Sequence, residues 1–197
     1  TATITLNNPT DRGYAFTGWH KGSVTGEAIT TISQGSVGNL DLYASWSDTP
    51  TTYDIHYENL LGSTTTNPES YNVTTDTITL TNPTDHGYAF TGWRKGSLEG
   101  NPITEIPQGS TGDLTLYATW SVTPTEYTIT YNNLQGSTTT NPTTFTVLTD
   151  TIILSNPSDR GYEFTAWHLN NKEGETINEI KSGTIGDLVL YAEWGKI

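Results

Sequence analysis

No cysteine occurs in the 197 residues, and no methionine either. Without cysteine there is no disulfide framework, so small modules must be held by packing alone, and the compartment stays open. Lys and Arg number 8 against 21 Asp and Glu, a net charge of -13. So few cations argue against a nucleic-acid partner, because phosphates are held by Lys and Arg. They equally disfavour an anionic membrane surface. No apolar run approaches membrane-spanning length, so membrane insertion is not expected. No secretory signal is visible, and with no methionine even at position 1 the chain reads as a piece of a longer one. Hydrophobic residues make up only 32%, below the usual share for a globular protein. A core must therefore come from the aromatics, each of which buries far more area than a valine.

What is present is a repeat. Tyr14, Tyr88 and Tyr162 lie 74 residues apart, and so do Trp46, Trp120 and Trp194. Gly13–Trp19, Gly87–Trp93 and Gly161–Trp167 are copies of one motif, and Leu40–Trp46, Leu114–Trp120 and Leu188–Trp194 are copies of a second. Residues 1–46 align without a gap to 75–120, with 32 of 46 positions identical. A period this long implies small modules in series. The expected organisation is an N-terminally incomplete repeat at 1–46, a linker at 47–52, a complete repeat at 53–120, a linker at 121–126, a complete repeat at 127–194 and a tail at 195–197. Pro50 and Pro124 sit in the two linkers, where proline blocks strand continuation.

Within a repeat the apolar period is two. Tyr53, Ile55 and Tyr57 alternate with polar residues, as do Tyr127, Ile129 and Tyr131, which reads as a half-buried strand. A Gly/Ser/Thr/Asn/Pro loop follows at 62–68 and 136–142. Tyr71 and Val73, or Phe145 and Val147, mark a second strand, and Ile78 and Leu80 a further apolar stretch of uncertain type. The recurring Asp11, Asp85 and Asp159 are expected to bond nearby backbone N–H groups in the turn before each Gly-Tyr. In the next strand Tyr88 and Phe90 share a face, with Trp93 one residue out of phase. Either a bulge at Gly92 re-aims the indole inward, or Trp93 covers the opposite face. Ile103 and Ile106 are three apart, which permits one short helical turn. Leu114, Leu116, Ala118 and Trp120 form the apolar row of the closing strand, and burying that row against Tyr127, Ile129 and Tyr131 would make a small sheet. The fold class is mainly β, with α+β left open, in tandem modules of about four strands and at most a short helical turn.

These residues carry a resemblance. Tyr-x-Ile-x-Tyr, a Gly-containing loop, Pro-x-x-x-Gly-Tyr-x-Phe-x-Gly-Trp and a terminal Leu-Tyr-Ala-x-Trp resemble the Listeria–Bacteroides repeat, also called the internalin B-type repeat. The likeness covers 53–120 and 127–194 in full and 1–46 in part. Ala166 departs from it, standing where Gly92 stands in the second copy. The resemblance implies a compact β-grasp-like module, found in bacterial surface and secreted proteins, with no enzymatic activity attached.

The chemistry-bearing residues fall into columns of the repeat. His20 and His168 share a column with Arg94, His86 is replaced by Arg12 and Arg160, and His56 by Thr130. Such swaps fit solvated positions better than a general base or metal ligand. Asp113 and Asp187 follow glycines and read as turn residues. No Asp-x-Asp-x-Asp-Gly run offers a calcium site and no Gly-x-Ser-x-Gly a nucleophile. No catalytic residue, metal site or cofactor is expected. Lys21 and Lys95 share a column and raise a Lys–Asn cross-link only weakly. The repeat core is expected to comprise Tyr14, Phe16, Trp19, Trp46, Tyr88, Phe90, Trp93, Trp120, Tyr162, Phe164, Trp167 and Trp194. Because of its phase, Trp93 is the candidate for a ligand-facing indole.

The expected function is a non-enzymatic repeat segment of a bacterial cell-surface or secreted protein, extracellular, serving as a spacer or stalk of solvated, like-charged modules with weak adhesive contacts. The alternative is a dedicated module for a host protein or a glycan, with the variable segments 97–111 and 171–185 setting specificity. An incomplete first repeat would expose its closing strand's apolar row. Residues 1–46 are then disordered, exchange strands with another chain, or reflect a different module boundary.

Overall fold

The structure, a computed structural model, describes residues 2–10, 12–158 and 161–195. Among them there is no helix. The chain divides into two compact units: Thr1–Asn59, Thr66–Thr81 and Gly92–Ala118 form one, and Leu60–Thr65, Asn82–Thr91 and Thr119–Ile197 the other.

The last repeat, inside the second unit, shows the plan. A five-stranded sheet runs in the order 144–145, 127–132, 188–195, 163–169, 176–177, and a separate pair joins 152–153 to 179–180. The first strand and the closing strand are adjacent and parallel, Ile129 opposite Leu188 and Tyr131 opposite Leu190. Parallel neighbours need a long crossover, and here it runs through 133–187, which also supplies the other three strands of the sheet. The row Leu188, Leu190, Ala192 therefore lies under the first strand of its own repeat, and Leu114–Tyr117 likewise pairs with Ile55–Glu58. This corrects the pairing of Leu114–Trp120 with Tyr127, Ile129 and Tyr131: the partner is the first strand of the same repeat, not of the next.

Ile103 and Ile106 do not share a helical turn. They end two short strands, one pairing with Trp93 and Arg94, the other with Ile78 and Thr79. Successive short strands let both isoleucines reach the core while their backbone groups are satisfied in two different ladders.

The same phase problem at Trp19 and Trp167 is solved by a bulge. In the last repeat Phe164 faces Trp194 and Ala166 faces Glu193, so Thr165 is an extra residue. The first repeat does the same at Thr17, between Phe16 opposite Trp46 and Gly18 opposite Ser45. One inserted residue puts a side chain three positions on back on the same face. Phe164 and Trp167 therefore meet, ring centroids 5.3 Å apart. The inserted threonine is tied across: Thr17 Oγ1 donates to Ser45 at 2.8 Å, Thr91 to Thr119 at 2.9 Å and Thr165 to Glu193 at 2.9 Å.

In the first unit, residues 14–21 lie between 28–29 and 42–50, which leaves the closing strand 42–50 at a sheet edge. Its described residues are ordered strands, and the apolar row is poorly covered: Leu40 is 41% exposed, whereas its counterpart Leu114 is 5%. The lost cover is what the parallel first strand supplies to the other two repeats.

Truncating a fully enclosed member of the row, Leu116→Ala or Leu190→Ala, should cost about 2–5 kcal/mol. Leu40→Ala should cost under about 1 kcal/mol, because little area is buried there. Urea denaturation followed by tryptophan fluorescence measures both.

Candidate functional site

Three Phe–Trp pairs, one per repeat, form the same T-shaped contact: Phe16–Trp46 at 5.6 Å, Phe90–Trp120 at 5.5 Å and Phe164–Trp194 at 5.7 Å. A second tier is formed by Tyr57–Trp93 and Tyr131–Trp167, both at 5.2 Å. The indole N–H groups donate to backbone carbonyls: Trp19 to Asn7, Trp93 to Thr81, Trp167 to Ser155 and Trp194 to Asn133. An indole with its N–H paired and its ring enclosed belongs to a core.

In the first two repeats the turn before the Tyr-x-Phe strand meets the following repeat. A Cβ added at Gly13 would lie 2.0 Å from Val73, and one at Gly87 2.6 Å from Val147. Thr51 N–H donates to Gly13 O and Thr125 N–H to Gly87 O, each at 2.8 Å. In the second of these joints Asp85 accepts twice, from Gly87 N–H at 2.7 Å and from the Tyr127 hydroxyl at 2.7 Å. Burial, and then the bond to Asp85, push the Tyr127 hydroxyl up to about 12. Asp11 and Asp159, expected to play the part of Asp85, lie outside the described residues, as does Arg160.

At the end of the last repeat a groove of about 470 Å³ opens beside Tyr162 and Trp194, with Asn133, Gln135, Lys172 and Glu193 on its walls. Two rings and four polar side chains make it the candidate site of this molecule. Among the described residues no group of three or more His, Asp or Glu is placed to hold a metal ion. No helix there is long and apolar enough to cross a membrane.

The Listeria-Bacteroides repeat domain matches residues 1–45, 53–119 and 127–193. The chain belongs to that family. It is also 27% identical, over 191 residues, to a protein of Evansella cellulosilytica whose name describes it as a Gly-rich membrane protein. The match covers 94% of this chain and 21% of that relative. No solved structure matches the chain.

In these Listeria-Bacteroides repeats the expected core residues are placed unevenly. Trp93 and Trp167 are buried, while Tyr14, Phe16, Trp19, Trp46, Tyr88, Phe90, Trp120, Phe164 and Trp194 are half-buried. Tyr162 is 50% exposed. Trp93, the candidate for a ligand-facing indole, is only 3% exposed, which leaves no face on which a ligand could stack.

The histidines are less solvated than their swaps suggested. His20 Nδ1 donates to Gly26 O and His168 Nδ1 to Gly174 O, each at 2.9 Å, and Arg94 Nη1 donates to Gly100 O at 3.2 Å. The column demands one donor reaching the hairpin carbonyl, which imidazole and guanidinium both supply. His86 packs on Trp120, centroids 4.0 Å apart, with both ring nitrogens shielded from water. His56 is exposed.

Asp113 and Asp187 also do more than shape turns. Each accepts the backbone N–H of the first strand, Asp54 at 3.0 Å and Thr128 at 2.8 Å, and so pins the parallel pair. Lys21 pairs with Glu27 at 3.1 Å rather than with an asparagine.

Sequence reasoning missed Asn67 and Asn141, taken as loop. Both are buried, and each closes a two-way bond with the backbone of Thr81 or Ser155. The signal was there in the recurrence of Asn-Pro at 67–68 and 141–142.

His168 faces two acceptors, Gly174 O and Glu193 Oε2 at 3.2 Å, and only the doubly protonated ring satisfies both. The bond to Gly174 and then that to Glu193 raise the His168 pKa above 6.5, and the bond from His168 and then that from Thr165 lower Glu193 below 4.5. A raised histidine adds stability that is complete below its unfolded value and lost as pH rises through the folded one. A depressed carboxylate adds stability present above its unfolded value and lost as pH falls through the folded one. The pair is thus fully formed between pH 4.5 and 6.5. An NMR titration should place His168 above 6.5, and Glu193→Gln should bring it down. Tyr127→Phe, which frees Asp85, should cost about 1 kcal/mol by urea denaturation at neutral pH.

Proposed function

We propose that the chain is a non-enzymatic tandem-repeat segment of a bacterial cell-surface or secreted protein, extracellular, acting as a spacer with weak adhesive contacts. The observation that carries this reading is the repeated joint. Gly13 with Val73 and Thr51, and Gly87 with Val147 and Thr125, make the same steric and hydrogen-bonded contact at two successive junctions. A segment whose task is distance gains from junctions that are built rather than left as free linkers. The net charge of -13 keeps such an array solvated and resistant to self-association. Membership of the repeat family and the likeness to a protein described as a membrane protein support the cell-surface address.

A second reading, binding of a host protein or a glycan, is favoured by one observation. The groove beside Tyr162 and Trp194 offers aromatic faces with amide and charged side chains, which suits a sugar ring. The open edge of the strand 42–50 is where a strand from another chain would be taken up.

Small-angle scattering on chains of increasing repeat number tests the spacer reading. The maximum dimension should grow by a constant increment per repeat and stay unchanged on dilution. A dimension that fails to grow, or a particle that changes with concentration, overturns it.

A further inference from the structure

We propose that a small pocket in the second repeat binds a compact aliphatic carboxylate, with Lys95 holding the charge and a wall of buried side chains holding the hydrocarbon. The site lies apart from the groove beside Tyr162 and Trp194, and the spacer reading neither needs it nor is altered by it. The pocket has a volume of about 170 Å³. Its wall is made by Tyr71, Ile106 and Leu114, which are 4%, 2% and 5% exposed, together with the half-buried Ile103. The Tyr71 hydroxyl donates to Gly112 O, so the ring is held in place as part of that wall. Lys95 and Thr111, both exposed, stand at the rim.

The three repeats treat the charge at this rim differently. In the first repeat the column of Lys95 holds Lys21, whose ammonium pairs with Glu27 at 3.1 Å. In the second repeat the lysine is kept, but Asn101 stands in the place of Glu27. The third repeat keeps the acid, as Glu175, and has Leu169 in place of the cation. The second repeat thus has the cation without the acid, and among the described residues Lys95 has no ion pair. Asp113, close to Thr111 in the chain, is engaged elsewhere, its Oδ1 accepting the Asp54 N–H at 3.0 Å. The chain carries 8 Lys and Arg against 21 Asp and Glu. A cation left without a carboxylate in such a chain, beside an apolar cavity, is complementary to an anionic ligand. The rim residue changes in step: Val37 and Ile185 stand where Thr111 adds a hydroxyl.

Size and lining define the occupant. Drug-sized ligands fill roughly 300 Å³ or more, so about 170 Å³ admits a group of a few heavy atoms. A sugar ring would leave hydroxyls unpaired against Ile103, Ile106 and Leu114. Inorganic phosphate would meet one cation and leave the apolar wall uncovered. A branched aliphatic chain ending in a carboxylate meets both parts of the pocket, as a free acid or as the C-terminal residue of a peptide.

The test is an amide NMR titration of the 197-residue chain with isocaproate. Saturable shifts are expected at Lys95, Ser110 and Thr111. Isocaproamide, which has the same shape without the charge, should bind about three- to fivefold more weakly, the worth of a part-exposed ion pair. Acetate should bind weaker by about tenfold or more, because the hydrocarbon is lost. Lys95→Gln and Asn101→Glu should each weaken isocaproate by about three- to fivefold and leave isocaproamide unchanged. Asn101→Glu keeps the lysine and restores the partner that Lys21 has in Glu27, so it reads the free charge rather than the side chain. Both positions are exposed, and an unchanged urea midpoint checks that the fold is kept. Acetyl-glycyl-glycyl-leucine separates the two sources. Tighter binding than isocaproate, with a further shift at Ile103, assigns the site to a peptide C-terminus, and equal or weaker binding assigns it to a free acid. The proposal is overturned by the absence of saturable shifts at these amides or by equal affinity for isocaproate and isocaproamide. Isocaproate binding that is unchanged in Lys95→Gln or in Asn101→Glu overturns it as well.

Discussion

Phe164 touches both Trp167 and Trp194 only because its strand carries one residue too many. Without the extra Thr165, side chains at 164 and 167 would point to opposite faces of the sheet, and the two aromatic tiers could not meet. The bulge converts a sequence with period two into a core with three rings in contact. In a module with so little aliphatic content, that contact stands in for a larger hydrophobic core. It also explains why Ala166 is tolerated where the second repeat has Gly92. The irregularity belongs to the inserted threonine and its cross-strand hydroxyl bond, and Ala166 has no positive φ to support.

The same strands that hold the core present its outer end to the next repeat. The turn carrying Gly87 leads straight into the strand bearing Phe90, and the closing strand bearing Trp120 leads straight into the joint. Packing within a repeat and packing between repeats are thus not separable. The seat of Val147 is formed by the turn that the Phe90–Trp120 contact orients. At the last repeat the groove beside Tyr162 and Trp194 leaves aromatic surface in view.

Much of this was legible beforehand, for a definite reason. The strand alternation of Tyr53, Ile55 and Tyr57, the absence of long helix periodicity and the family resemblance all point to small β modules, because side-chain period follows directly from backbone geometry. The choice between an inward and an outward Trp93 was visible as a question but not as an answer. Two of the less legible features were polar. Asn67, Asn141 and the His20/Arg94/His168 column satisfy backbone groups whose position is set by distant chain segments, and no local pattern announces that need.

By itself the sequence determined the β character and the aromatic source of the core. Those follow from composition and spacing, which are local and additive. Tertiary structure alone decided that the first and closing strands of one repeat are parallel neighbours. It decided too that Ile103 and Ile106 belong to two short strands, and that Gly13 and Gly87 are covered by Val73 and Val147. Each of these depends on which non-local segment arrives at a given edge.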